Sequence, residues 1–130
     1  MAPQIVTITE PTLPRGVVRI KWNWLCDELG AVISQTVRDY SGMIVRLVTV
    51  PNGGGTAPTT LYDVTITDSD GIDVINALGA NLSATVTAQQ ISSAGLQWIA
   101  NSRLTLNVTN AGIEKGGAVY LYILEATVPG

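Results

Sequence analysis

Three carboxylates crowd one hexapeptide, D-S-D-G-I-D at residues 68–73, and this is the densest chemistry the chain offers. Calcium takes several hard oxygen ligands in a tight turn, and Asp68, Asp70 and Asp73 around Gly71 supply the beginning of such a set. A complete helix–loop–helix calcium loop closes with a bidentate glutamate at its twelfth position, and counting from Asp68 that position is Gly79. The competing reading is an Asp-Gly turn whose side chains bond to nearby backbone amides. The turn accounts for every residue present, so no metal or other cofactor is expected. Asp27 and Glu28 are adjacent carboxylates, but neighbours on a strand point to opposite faces, and glycosidase chemistry needs two acids flanking one bond. They are expected to decorate the turn before Gly30. Trp22, Trp24 and Trp98 have the surfaces that stack on sugar rings, yet Trp22 and Trp24 share the strand face of Val18 and Ile20, which points to packing. Cys26 is the one cysteine and lies on that same apolar face; inert burial is expected.

Histidine is absent altogether. The chain therefore supplies no Ser-His-Asp or Cys-His pair and no imidazole base or ligand, and no enzymatic activity is expected. The glycine-rich stretch NGGGTAPTT at 52–60 lacks the lysine of a phosphate-binding loop and precedes a strand, so it is a connection. Seven basic residues are scattered along the chain, and no basic patch for nucleic acid can be read from their order. From residue 66 onward two bases, Arg103 and Lys115, face five acids, Asp68, Asp70, Asp73, Glu114 and Glu125, so the whole net charge of −3 belongs to that half. One cysteine excludes an intrachain disulfide. No apolar run approaches the roughly 20 residues that span a bilayer, and MAPQIVTITEP lacks the regions of a secretion signal. Synthesis in a cytoplasm, with no membrane partner, is the expectation.

Period-two alternation positions these residues. At 17–26 Val18, Ile20, Trp22, Trp24 and Cys26 share one face against Arg19, Lys21 and Asn23. The same signature marks 61–67 and 103–109, and 43–50 is again rich in strand formers. The last strand, 118–126, is apolar or aromatic on both sides and is expected to be covered on both faces. Short strands at 5–9 and 31–37 complete about seven. Ile72, Ile75 and Leu78 are spaced for a helical turn that Gly79 would end. The 130 residues are 46% apolar and 13% charged, enough for one core without metals or disulfides. The expected fold is all-β: a single-domain antiparallel β-sandwich, jelly-roll-like, with at most one or two helical turns. Trp22, Trp24, Val64, Ile66, Leu104, Leu106, Val119 and Leu121 should form its core.

Residues 1–14 form an expected N-terminal arm ahead of a main domain at 15–130. The arm carries Pro3, Pro11 and Pro14 and nearly no charge, but its Ile5, Val6 and Ile8 are apolar. Together with Tyr120 and Tyr122 on the second face of the last strand, they are candidate contacts to another subunit.

Leu61 to Ser83, LYDVTITDSDGIDVINALGANLS, followed by RLTLNVTNAGIEKGGAVYLYI at 103–123, resembles a group of small, uncharacterised proteins encoded among the virion structural genes of tailed bacteriophages. The resemblance covers about residues 20–123. It rests on LYDV at 61–64, the acidic D-x-D-G at 68–71, D-V-x-x-x-L-G-A-N-L-S at 73–83 and N-x-x-x-x-x-G-G at 110–117. The resemblance implies a virion component with no assigned catalytic residue. A small, uniformly β, poorly charged chain of that kind suggests a capsid decoration (cement) protein on the virion surface, with the major capsid protein and further copies of itself as partners. A head-tail connector, a tail subunit and a displayed glycan- or host-surface-binding module remain open.

Overall fold

The alternation at 17–26 becomes a nine-residue strand, and its register with its neighbours sets the rest of the architecture. The computed structural model describes residues 4–10, 12, 13 and 16–125; residues 1–3, 11 and 14 of the expected arm and 15 and 126–130 of the expected main domain lie outside this set. Ten strands follow in order: β1 (Ile5–Thr9), β2 (Thr12–Leu13), β3 (Val17–Leu25), β4 (Val32–Gln35), β5 (Tyr40–Pro51), β6 (Asp63–Thr67), β7 (Ala88–Ile91), β8 (Trp98–Ser102), β9 (Thr105–Thr109) and β10 (Gly116–Glu125). All their pairings are antiparallel. The larger sheet runs β1-β3-β10-β5-β7, with β2 added to β3 and β8 to β5; the smaller runs β4-β9-β6. Short 3-10 turns at Gly54–Thr56 and Ser92–Ala94 are the helical content among the described residues.

One hydrophobic cluster joins the two sheets. Val18, Ile20, Trp22 and Trp24 of β3 and Val119, Leu121 and Ile123 of β10 meet Val64 and Ile66 of β6 and Leu106 and Val108 of β9, all buried. Every residue expected in the core is there. β10 lies between β3 and β5 and pairs with both along its length. Its Gly117 has no room for a side chain: a Cβ would fall 2.5 Å from the Val50 carbonyl oxygen and 3.0 Å from the Trp24 ring.

Four features differ from the sequence expectations. The second face of the last strand is covered only in part: Val119, Leu121 and Ile123 are buried on the first face, whereas on the second Ala118 is buried, Tyr120 and Tyr122 are half-buried and Leu124 is exposed. Residues 73–78 form successive turns, with Asn76 N–H donating to Asp73 O (3.2 Å) and Leu78 N–H to Ile75 O (2.9 Å). Asn76 and Ala77 take φ of 51° and 61°, which a right-handed helix excludes. Gly79 does not cap a helix; its carbonyl accepts from Val64 N–H at 2.7 Å, and a Cβ there would run into the Val64 carbonyl. Finally, β7 and β8 were not foreseen: both pair with β5, and neither AQQI nor WIANS alternates apolar with polar residues.

The two sheets are also joined at one edge. Gln4 precedes β1, and its side-chain amide donates to Ile33 O at 2.6 Å and accepts from Ile33 N–H at 2.8 Å, on the open side of β4.

Candidate functional site

Register alone determines which outward residues of the larger sheet stand side by side. Tyr120 lies opposite Lys21 on β3 and Val48 on β5; Tyr122 lies opposite Arg19 and Arg46. Leu124 is flanked by Val17 and Met43, and Met43 in turn by Trp98. Ile91 sits beside Arg46, and at the far end Leu25 stands beside Ile5. On this side Ala118 is buried, and Tyr120, Tyr122, Met43 and Val48 are half-buried. Ile5, Ile91, Leu124 and Trp98 are exposed, Trp98 to 69%.

The two tyrosines organise the charges on this face. Lys21 Nζ lies 5.1 Å and Arg19 Cζ 5.9 Å from the centroid of the Tyr120 ring, and Arg46 Cζ lies 5.2 Å from that of Tyr122. At these distances a cation is attracted to the ring quadrupole by about 0.5–1 kcal/mol at an exposed site. Arg46 also donates from Nε to Gln89 Oε1 at 2.7 Å. Three of the chain's seven cations thus meet on one face, and no outward position of its paired strands is Asp or Glu. Arg19, Lys21 and Arg46 are far apart in sequence, and only cross-strand register unites them; sequence order carried no signal for this. Of the expected contact residues, Ile5, Tyr120 and Tyr122 share this face, while Val6 and Ile8 turn inward and pack on the core.

The acidic turn is built by its own backbone. Asp68 Oδ1 accepts from Asp70 N–H (2.9 Å) and Ile72 N–H (3.1 Å). Asp73 Oδ1 accepts from Ile66 N–H (3.1 Å) and Ile75 N–H (3.3 Å), and its Oδ2 from Ala77 N–H (2.9 Å). These are Asx-type contacts that hold the chain as it leaves β6. Among the described residues no three Cys, Asp or Glu groups converge as metal ligands would. Asp27 likewise closes its own turn, accepting from Leu29 N–H at 2.8 Å and Ala31 N–H at 3.2 Å. A cluster that the sequence did not reveal joins three chain segments at the opposite end: Tyr40 donates to Glu10 Oε1, Arg38 stacks 4.1 Å from the Tyr40 ring centroid, and Arg38 Nη2 pairs with Glu125 Oε1 at 2.6 Å. Its members satisfy one another, and burial together with Glu10 pushes the Tyr40 phenol up.

Trp22 and Trp24 belong to the chain's own core. An open hollow of about 180 Å³ between β1, β3 and β10 is lined by Ile5, Thr7, Asn23, Leu25 and Asn52 among others, with no ionisable side chain. Cys26 is fully buried, and burial followed by the Asp27 carboxylate pushes its thiol up to about 11. The thiolate is the nucleophile. Iodoacetamide at neutral pH is therefore expected to leave Cys26 unlabelled until the chain is unfolded; rapid labelling of the native protein would contradict this. Because the folded value is raised, the stabilisation is complete below the unfolded value near 9 and is lost as pH rises through about 11. The loss expected from Cys26 is about 2–3 kcal/mol, checked as the difference between wild type and Cys26→Ala in urea unfolding across that window, because the Tyr40 and Tyr62 phenols, also pushed up by burial, titrate in both chains.

No helix among the described residues is long and apolar enough to cross a membrane. Comparison of the chain with family models, curated proteins and solved structures finds no match.

Proposed function

We propose that the chain is a structural virion protein of a tailed bacteriophage: a capsid decoration protein that acts as a homo-oligomer and bridges neighbouring capsid subunits. The observation that carries the reading is the outward face of the larger sheet, where Val17, Val48, Met43, Leu124, Trp98, Tyr120 and Tyr122 lie together, half-buried or exposed. A contiguous apolar and aromatic face of this kind gains stability when another protein excludes water from it. Tyr, Trp, Met and Arg are the side chains that dominate protein–protein contacts. Function through such a face needs no nucleophile, base or metal. The setting comes from the resemblance over residues 20–123. A shell under internal pressure is strengthened when an external molecule contacts two subunits, because separating them then breaks the added contacts too, and repetition over a lattice multiplies modest affinities.

Trp98 favours a second reading, a displayed glycan-binding module, because its ring is open to solvent. Its registered neighbours Met43, Leu124 and Val17 are apolar, however, and offer none of the hydrogen-bonding groups that orient a sugar.

The test compares particles assembled with and without the protein. Loss of resistance to heat and chelators in its absence, restored by wild-type chain but not by Tyr120→Glu/Tyr122→Glu, is the expected result. Unchanged resistance would end the reinforcing role, and density for the chain only at the neck or tail would move it to the connector or tail class.

A further inference from the structure

We propose that the open sheet face receives the acidic, apolar end of a second copy of this chain, formed by the loops 27–30 and 111–115. The proposal deepens the assembly reading of that face and rests on it, although not on the phage setting.

Charge disfavours closing the face with its own copy in a symmetric, face-to-face pair: such a pair would gather two sets of Arg19, Lys21 and Arg46 in one interface, with no carboxylate on the outward positions of either to compensate. Its partner must bring carboxylates along with apolar side chains.

Among the described residues, the end formed by loops 27–30 and 111–115 has the matching character. Loops 27–30 and 111–115 are fastened together: Cys26 N–H donates to Lys115 O at 2.8 Å, and Ala111 N–H to Gly30 O and Glu114 N–H to Asp27 O, both at 3.4 Å. Their backbones approach so closely that a Cβ on Gly30 would lie 3.1 Å from Gly112 N. On this end Leu29 is 83% exposed and Ile113 62% exposed, accompanied by Glu28 and Glu114, neither of which has an ion-pair partner among the described residues. The single cation of these loops, Lys115, has its ammonium on Gly55 O at 2.7 Å. The other acidic segment differs: Asp68 and Asp73 are engaged by their own backbone, and Arg103 stands 3.9 Å from Asp39 at that end of the molecule.

Docking the Glu28–Glu114 end on the Arg19–Tyr120–Tyr122–Arg46 face is a heterologous, head-to-tail contact. It leaves the pair with one free face and one free end, so copies add in a row, as a ring where the rotation closes and as an open filament where it does not.

Sedimentation velocity of the purified chain over a range of concentrations and salt tests this. The expected result is self-association at low ionic strength that weakens about tenfold or more at high salt. Arg19→Glu/Arg46→Glu and Glu28→Lys/Glu114→Lys should each be monomeric, with unchanged circular dichroism, and mixing the two should restore association. A wild-type chain that stays monomeric at millimolar concentration and low salt overturns the proposal, as does association that survives both charge reversals or is not restored by mixing. Monomeric chain that still stabilises particles would overturn this inference and the homo-oligomeric part of the proposed function, and leave its bridging of capsid subunits standing; oligomers that fail to stabilise particles would leave this inference standing and overturn the reinforcing role.

Discussion

Replacing Leu106 by Ala is expected to lower the unfolding free energy by about 2–5 kcal/mol. Leu106 is fully buried on β9, the middle strand of the smaller sheet, where it is flanked in register by Ser34 on one side and Ile66 on the other. The ladders to β4 and β6 fix the β9 backbone, so the strand cannot move inward to fill the space the side chain leaves. The cost then includes both the lost transfer of the leucine from water and the cavity left behind. Against the about 5–15 kcal/mol typical of whole domains, such a loss is large. It should appear in urea as a lower midpoint at unchanged slope. The adjacent change Asn107→Ala, at a half-buried outward position, is the control. A near-neutral Leu106→Ala would mean that β9 faces the other way.

Asp73→Ala should cost about 2–4 kcal/mol, for a different reason. Its carboxylate accepts three backbone N–H groups, those of Ile66, Ile75 and Ala77, and so ties the end of the smaller sheet to a turn whose Val74 and Ile75 are buried. Hydrogen bonds to a charged acceptor are stronger than neutral ones, and truncation leaves their donors unpaired. The effect should be the same with calcium or with a chelator present. Asp70, exposed at the tip of the same turn, should tolerate Ala to within about 0.5 kcal/mol. Calcium itself should leave the wild-type melting temperature unchanged; a calcium-dependent rise that vanishes in Asp70→Ala would assign the turn a metal instead.

These two residues also mark how far the amino-acid order carries. Leu106 was legible because β6 and β9 bury one face and expose the other, which makes a period of two visible in any strand of five residues or so. Trp22 and Trp24 were legible for the same reason. Asp73 was legible as a turn residue but not as the anchor of Ile66, because that contact joins a turn to the strand before it. The turn at 73–78 imitated helical spacing in its apolar residues, while Asn76 and Ala77 take left-handed φ values and the Ala77 N–H is held by the Asp73 carboxylate. β5 hid its start because the register shifts by a residue opposite Tyr122–Ile123, which breaks the alternation through MIVRLV. β7 and β8 were hidden because neither AQQI nor WIANS alternates apolar with polar residues, and only their pairing with β5 reveals them. The candidate face was least accessible. Tyr120 and Tyr122 stood out as apolar positions on a second face, but whether that face was covered, and which cations crossed it, depended on pairings between residues about a hundred positions apart.

The Gln4 amide on the edge of β4 bears on how the chain survives at high concentration. An edge strand with free N–H and C=O groups is a template on which a foreign strand can grow, and repetition of that event leads to fibrils. At Ile33, itself exposed, the amide takes both backbone groups in the way a neighbouring strand would, yet ends after a single residue and offers nothing to extend. Gln4 therefore works as a gatekeeper against strand addition at the centre of β4. The broad face then stays available for ordered contacts while this narrow edge is closed at Ile33 to disordered ones.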